Sequence, residues 1–397
     1  MGEWKKYKLK DVCTILGDGL HGTPIYDDKG EFFFINGNNL KDGRISIKND
    51  TKRVPYSEAN KYKKPLNNRT ILVSINGTIG NVAKYRDEKC ILGKSACFFN
   101  VKENVDLNFI YYVVANQQFK NTITQLATGT TIKNVSLETM RNYTFCIPPL
   151  SIQKQIGKIL SSLDDKIELN RRINDNLEQQ AQALFKSWFV NFEPFKKGKF
   201  IDSELGMIPE GWQVEELGNI TNSITEKVGK RTDVKVLSPV NTGDLLLSEE
   251  YFTKQVYSKT LAKYIMVAPN DFSYNPARIN IGSIGMNTFD FSGCVSPVYV
   301  VFRCEKEYHH FFNIFKTTKN FKEEVNTRAI GGVRQTLSYK DFSLIKIVYP
   351  PKEVVEQFNK IYSHIMTLIK KNVLENKRLH QTRDTLLPKL MSGELKI

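Results

Sequence analysis

Gly17-Asp18-Gly19-Leu20-His21-Gly22 has the glycine spacing that lets a backbone approach a pyrophosphate. That chemistry also needs a helix starting at the last glycine, so that its first amides face the phosphates. Thr23-Pro24-Ile25-Tyr26-Asp27-Asp28 does not read as that helix and no βαβ unit follows, so the string is expected to be a mobile loop. Gly93-Lys94-Ser95 has the ending of a phosphate loop, but Glu88 stands where the first glycine is required. Ser273-Tyr274-Asn275-Pro276-Ala277-Arg278 approaches the Asn-Pro-Pro-aromatic string of amino-methyltransferases, and Ala277 and Arg278 break it. Triplets such as Asp50-Thr51-Lys52 have nuclease-like spacing, yet a lysine-rich chain produces them by chance. Cys13, Cys90, Cys97, Cys146, Cys294 and Cys304 include no Cys-x-x-Cys pair, and the five histidines form no His-Glu-x-x-His. A zinc site or a disulfide framework needs closer spacing, so buried free thiols are expected and no metal ligand is assigned. The sequence therefore predicts no self-contained active site.

The charge points to a partner instead. The 397 residues carry 57 Lys plus Arg against 42 Asp plus Glu, a net charge of +15. Such an excess suits a polyanion, either nucleic acid or an anionic surface. At about 100–200 residues per domain the length allows two or three domains. No apolar run approaches the roughly 18–20 residues of a membrane span, and Met1-Gly2-Glu3-Trp4-Lys5-Lys6 lacks the apolar stretch of a secretion signal. A soluble cytoplasmic protein is the expectation.

The elements that must position any binding residues occur twice. Trp4-Lys5-Lys6-Tyr7-Lys8-Leu9 near the first terminus matches Gly211-Trp212-Gln213-Val214-Glu215-Glu216-Leu217. Thr131-Ile132-Lys133-Asn134-Val135-Ser136, ending at Ile147-Pro148-Pro149, matches Gly332-Val333-Arg334-Gln335-Thr336-Leu337-Ser338, ending at Tyr349-Pro350-Pro351. Each Pro-Pro precedes a long helical pattern. Between them, β-branched and aromatic runs such as Arg69–Ile75 and Val295–Phe302 read as strands, with turns at Asn36–Asn39, Asn76-Gly77 and Gly331-Gly332. Short helices are expected around Phe109 to Phe119 and Phe311 to Phe321.

Ile152, Ile156, Ile159, Leu163, Asn170, Ile173, Leu177 and Leu184 fall on a 4-3 alternation, as do Val354, Phe358, Ile361, Ile365, Leu368, Asn372, Leu379 and Leu386. That spacing puts one apolar stripe on each helix, and each needs a partner stripe. A helix of about 40 residues is about 60 Å long, and pairing the two antiparallel hides both stripes. Asn170 and Asn372 occupy matching heptad positions. In an antiparallel pair with a pseudo-twofold axis they would meet near that axis and fix the register. The predicted architecture is α+β: two similar mixed α/β blocks, related by the pseudo-twofold and separated by an antiparallel pair of long coiled-coil helices. A single chain would then imitate the symmetric dimers that read duplex DNA.

Three segments resemble one known family. Ile147-Pro148-Pro149-Leu150-Ser151-Ile152-Gln153-Lys154-Gln155-Ile156 is similar to the segment opening the conserved helix of type I restriction-modification specificity subunits. Leu184–Pro194, followed by Gly206-Met207-Ile208-Pro209-Glu210-Gly211-Trp212, resembles the same family, and Leu386–Leu395 resembles its usual ending. Val354-Val355-Glu356-Gln357-Phe358 departs from the more typical Gln-rich start of the second helix. The resemblance implies target recognition domains at 1–150 and 210–351, conserved helices at 151–192 and 352–397, and a linker at 193–209. It implies a non-catalytic subunit in which each domain reads half of a bipartite DNA site. The helices would set the gap and dock two adenine methyltransferase subunits, and the complex would recruit restriction/translocase subunits. S-adenosylmethionine, ATP and magnesium would belong to those partners. The rival readings are a stand-alone DNA methyltransferase or nuclease, and a coiled-coil protein whose charge serves no sequence reading.

DNA contacts are expected from polar loops. The repeated turns offer Thr130, Thr131, Lys133 and Asn134 in the first block and Arg334 and Gln335 in the second, with Lys133 and Arg334 equivalent and suited to phosphates. Base reading is expected from residues that differ between the blocks: His21, Thr23, Asn36, Asn38, Asn39, Asn76 and Lys94 in the first, and Asn241, Thr242, Tyr274, Asn275 and Arg278 in the second. Asn and Arg can make paired hydrogen bonds to adenine and guanine edges.

Overall fold

Ala96-Cys97-Phe98-Phe99-Asn100-Val101 is an almost unbroken apolar run, and it forms a strand buried along its whole length, as a central strand covered on both faces must be. In this computed structural model, which describes residues 4–48, 50–252, 254–329 and 336–397, that strand lies between Cys13–Asp18 and Thr70–Ser74, with Val82–Lys84 outside the latter. All three pairings are antiparallel. Val300–Cys304 has the matching place later in the chain, between Thr221–Ile224 and Phe272–Tyr274, with Ile284–Met286 at the edge. The strand order is therefore the same in both sheets.

The sequence repeat extends to single atoms. The Cys13 thiol donates to the Leu9 carbonyl, and the Thr221 hydroxyl to the Leu217 carbonyl. Ser136 and Ser338 each accept from an amide three residues on, that of Thr139 at 3.0 Å and Asp341 at 3.2 Å, which caps a short helix in each copy. The strand Lys5–Lys8 pairs with Thr144–Ile147, and Gln213–Glu216 pairs with Lys346–Tyr349. The helices expected around Phe109–Phe119 and Phe311–Phe321 are each two helices. Leu107–Ala115 stops at Asn116, whose side chain caps Gln117–Gln125, and His309–Phe315 is followed by Lys319–Arg328, capped by Thr318. A residue that caps one helix has extended backbone angles and so breaks a continuous one.

The first long helix runs Leu150–Phe189 and the second Lys352–Ser392. The first stops before Phe192, which takes a left-handed conformation, and the second stops at Gly393, also at positive φ. The segment between the first helix and the second block is not plain linker, since Phe200–Ile201 pairs with Ile208–Pro209. By internal contact the chain divides within both helices: one unit is Met1–Arg171 with Val373–Ile397, the other Arg172–Asn372. Each unit thus holds one four-stranded sheet, smaller sheets and half of each long helix, because each helix half shares its core with the neighbouring block.

In the first unit Ile156, Leu160, Leu387 and Leu390 join Phe109, Tyr112 and Ile147 in one buried cluster. The polar rim there is charged. Asp164 accepts from the Tyr112 hydroxyl at 2.6 Å and from Arg383 at 2.7 Å, while Arg44 meets Glu168 and Arg171 meets Asp42. In the second unit Ala181, Phe185, Phe189, Val355, Phe358, Tyr362 and Ile365 are buried together with Phe311. The buried face is therefore wider than a 4-3 stripe. Ile173, Ile361 and Leu368 of that stripe are 39%, 44% and 36% exposed, while Leu160, Ile167, Phe185 and Val355, outside it, are buried. Packing against a sheet as well as a helix needs the broader i, i+3, i+4 face.

The helix halves are antiparallel within each unit. In the first, Asp164 bonds Arg383, and Asn170, further along, bonds Asn376 at 2.9 Å and Glu375 at 2.8 Å. In the second, Asn372 donates to Asn174 at 2.8 Å. The expected Asn170–Asn372 pair is therefore replaced by Asn170–Asn376 and Asn174–Asn372. Each amide meets its partner one turn from the predicted position, so each unit has its own asparagine pair, with Asn170 buried and Asn174, Asn372 and Asn376 half-buried.

Among the described residues no helix is long and apolar enough to cross a membrane. Cys13, Cys97, Cys294 and Cys304 are buried free thiols, Cys90 is half-buried and Cys146 is exposed. Burial pushes the Cys13 and Cys90 thiols up to about 12 and Cys294 to about 11, so these three are held as neutral thiols.

Candidate nucleic-acid interface

Loops that leave the same end of a sheet are brought together whatever their separation in sequence. Asp18 ends one strand and pairs with Cys97 at the start of the central strand, and Ala96 pairs with Ser74 at the end of the third. The residues that follow Asp18 and Ser74, and those that precede Ala96, therefore share one rim. Asp18, His21, Asn76, Lys94 and Asn134 line a cleft of about 450 Å³ there, together with Ile75, Val135 and Ser136. Four of the predicted residues, from four loops, meet in this one place.

The loops are held by backbone contacts. The Leu20 amide donates to the Leu92 carbonyl at 2.7 Å, and the Lys94 amide to the Leu20 carbonyl at 3.0 Å. A Cβ on Gly19 would lie 2.1 Å from the Leu92 oxygen, so only glycine permits this approach. The glycine-rich string is thus pinned against a neighbouring strand at Gly19-Leu20, not the free loop expected, and no helix follows it. The exposed turn Gly129–Asn134 is closed by paired amide–carbonyl bonds between Thr128 and Asn134 at 2.9 and 2.7 Å. Gly129 is at φ +101°, where L side chains are strained. The Gly77 backbone amide donates to the Lys133 carbonyl at 3.2 Å, and the Asn76 side-chain Nδ2 to Asn134 Oδ1 at 3.3 Å. Thr130, Thr131 and Lys133 are left exposed at the tip.

His21 is the directed group of the cleft. Its Nε2 lies 2.6 Å from Asp18 Oδ2 while the side chain is 70% exposed. An imidazole fixed by a carboxylate at Nε2 presents Nδ1 in a set direction. Lys94 supplies a cation and Asn76 and Asn134 supply amides, so the rim offers donors and acceptors to a polar ligand edge.

Other predicted residues are used internally. Asn36 Oδ1 accepts from Ser95 at 2.9 Å. Asn39 is buried, accepting from the Asn36 amide and donating to Ser46 and Thr51. These two shape a turn and face no ligand, whereas Thr23 and Asn38 are exposed. In the second unit Tyr274 is 0% exposed in the aromatic core, because alternation along its strand turns it inward; it reaches no base. Asn275 Oδ1 accepts from the Ala277 amide at 3.0 Å and so closes a turn, while Arg278 is exposed. Arg334 and Gln335 lie outside the described residues. Asn241 and Thr242 line a pocket of about 310 Å³ with Asn280, Lys316 and Lys322.

Lys316 was not foreseen, since a lone lysine near a helix end reads as solvated. It is 7% exposed and donates to the carbonyls of Gly243 at 2.5 Å and Ile284 at 3.3 Å. Burial pushes its ammonium down to about 8, against the opposing pull of Asp244.

The comparisons agree with one another. Residues 1–179 match the type I restriction modification DNA specificity domain. Over its whole length the chain is 25% identical to the type I restriction enzyme MjaIX specificity subunit of Methanocaldococcus jannaschii, covering 94% of that protein. It is 22% identical to the type I restriction enzyme HindI specificity subunit of Haemophilus influenzae, with both chains covered completely. A crystal structure of the type I restriction-modification S subunit from M. genitalium superposes with a TM-score of 0.55 at 19% identity, covering 98% of this chain and 96% of that one. That likeness establishes the fold.

Proposed function

We propose that this chain, which belongs to the specificity subunits of type I restriction-modification systems, reads a bipartite DNA target with one half assigned to each unit. The carrying observation is duplication with divergence. The two sheets share strand order, caps and the Cys13/Thr221 contact, while the polar residues at their rims differ. A repeated scaffold with unlike rims suits two half-sites of unlike sequence. In this reading His21, Asn76, Lys94 and Asn134 face base edges and phosphates of the first half-site. Lys133, exposed at the tip of the neighbouring turn, neutralises a phosphate, and Thr23, Asn38, Thr130 and Thr131 flank it. Asn241, Thr242 and Arg278 belong to the second half-site.

The chain supplies recognition and its partners supply chemistry. The long helices dock DNA adenine methyltransferase subunits, two in number, and set the gap between half-sites; restriction/translocase subunits join that complex. S-adenosylmethionine, ATP and magnesium are bound by those partners, and the assembly works in the cytoplasm, where its DNA is.

The test is an exchange of residues 1–150 for those of a relative with another target, followed by methylation-sensitive genome sequencing. One half of the methylated motif is expected to change, while the gap and the other half stay. Change in both halves, or in neither, refutes the division. A finer measurement concerns Lys133→Ala in the methyltransferase complex. Loss of one phosphate contact makes the slope of log K against log salt shallower by about 0.9, equally for all target sequences. An unchanged slope removes Lys133 from the interface.

A further inference from the structure

The central strands of the two sheets differ sharply at one equivalent position. In the first unit Asn100 faces Thr70 across the strand pair, and the Thr70 hydroxyl donates to Asn100 Oδ1 at 2.6 Å. Asn100 is 5% exposed, so this is a closed, neutral, buried pair. In the second unit the matching positions, one step beyond the Phe272–Phe302 pair, hold Asp271 and Arg303. Arg303 Nε donates to Asp271 Oδ1 at 2.6 Å and Nη2 to Oδ2 at 3.0 Å. The Asp271 side chain is 2% exposed and that of Arg303 is 54% exposed. A buried carboxylate therefore grips one edge of the guanidinium and leaves the other edge in solvent.

That open edge faces a cleft of about 590 Å³, lined also by Arg231, Thr232, Asp233 and Ser292. Arg231 is held in turn by Glu226 at 2.7 Å, and the loop carrying it, Glu226-Lys227-Val228-Gly229-Lys230-Arg231-Thr232-Asp233-Val234-Lys235, is rich in cations. Among the described residues Nη1 of Arg303 has no hydrogen-bond partner. Arg303 therefore lines the cleft with two donors, one on each Nη, that Asp271 leaves unused and holds in a fixed plane.

We propose that Arg303 is a specificity-determining residue of the second half-site, binding the O6 and N7 acceptors of a guanine through that open edge, with Asp271 as its positioning residue. This rests on the DNA-reading function proposed above and assigns one base to the second unit. The two acceptors of guanine in the major groove match a guanidinium fork. Asp271 also decides between a base and a phosphate. Its charge offsets that of Arg303, so the long-range pull on an anion falls while the directed hydrogen bonds remain, which favours a neutral base edge. Arg231 is paired with Glu226 on the exposed side of the same cleft, and its half-exposed guanidinium lies within reach of the backbone.

The decisive variant is Arg303→Lys, which keeps a cation for Asp271 but removes the fork. It is studied as the complete chain assembled with its methyltransferase subunits, on duplexes varied at every position of the mapped motif. The expected result is loss of discrimination at one G·C pair of one half-site by about tenfold or more, with the other half and the salt slope unchanged. Should Arg303→Lys not fold, the pair Asp271→Thr and Arg303→Asn transfers the neutral arrangement of the first unit and predicts the same loss. Uniform weakening with a slope shallower by about 0.9 would mean a phosphate contact and overturn the assignment, as would unchanged discrimination at every position. Wild-type protein that discriminates at neither half-site would instead sink the specificity reading itself.

Discussion

Phe358→Ala is expected to destabilise the second unit by about 3–5 kcal/mol, the cost of removing a fully buried phenyl ring and leaving its cavity. Phe358 is 0% exposed, and its ring centre lies 5.0 Å from Phe189, 5.6 Å from Tyr362, 6.1 Å from Phe185 and 6.3 Å from Trp188. Those neighbours come from both long helices, so the lost ring is the shared centre of their contact in that unit. The surrounding rings are rigid, and a site walled by aromatics collapses poorly around a void. Phe358→Leu, which refills most of the volume, should cost much less. Urea denaturation followed by segment-resolved hydrogen exchange provides the measurement. Protection is expected to fall across Arg172–Asn372 while amides of the first sheet keep theirs, since the two units have separate cores. A loss below about 1 kcal/mol would show that Phe358 is not the keystone of that packing.

How far the sequence reaches is clear at particular residues. The 4-3 spacing marks both long helices to within a few residues of Leu150–Phe189 and Lys352–Ser392, because helical period is a local property. It does not give the width of the buried face. Leu160, Phe185 and Val355 are buried in cores shared with elements far away in sequence, and a heptad count has no information about those elements. The asparagine layer shows the same boundary. Burial of a polar residue in a helix pair is legible from Asn170 and Asn372, but its partner depends on register, and a shift of one turn moves the bonds to Asn376 and Asn174.

The rim residues divide by the same logic. Gly129-Thr130-Thr131-Ile132-Lys133-Asn134 is readable as an exposed turn, and Asn76, Lys94 and His21 as polar loop residues. Their meeting in one cleft follows from strand order, which the repeat suggests only in outline. Asn36, Asn39 and Asn275 carry the same residue type as Asn76, yet their side chains cap turns. Composition does not separate a capping asparagine from a reading one, because both are polar residues beside glycines. Tyr274 differs for another reason: a tyrosine before Asn-Pro looks like a loop residue, but the strand Phe272–Tyr274 runs one residue further than the motif implies. Arg303 could not be singled out at all. Its role depends on Asp271, 32 residues earlier, and nothing local marks either of them.

Acid should weaken the second unit through His310. Its imidazole packs against the rings of His309 at 4.0 Å and Tyr362 at 5.0 Å, and its Nδ1 is buried without a hydrogen-bond partner. Burial, with the neighbouring His309 adding to it, lowers the His310 pKa from 6.5 to about 4. His309 is lowered too, by burial, while the Lys306 carbonyl and Glu307 oppose the shift. The unfolded chain therefore takes up a proton near pH 6.5 that the folded unit refuses until about pH 4. Stability is fully present above pH 6.5 and is lost as the pH falls through that window. The fall from 6.5 to about 4 sets the loss at no more than roughly 3–4 kcal/mol. Carboxylates elsewhere titrate in the lower part of the same range, so the informative quantity is the difference between wild type and His310→Phe. An aromatic ring of similar size keeps the contact with Tyr362 and carries no titrating group. Melting curves of the two proteins between about pH 7.5 and about pH 4 should diverge as the pH falls, with the variant the more stable in acid. Parallel curves would mean that His310 accepts its proton in the folded state as readily as in the unfolded chain.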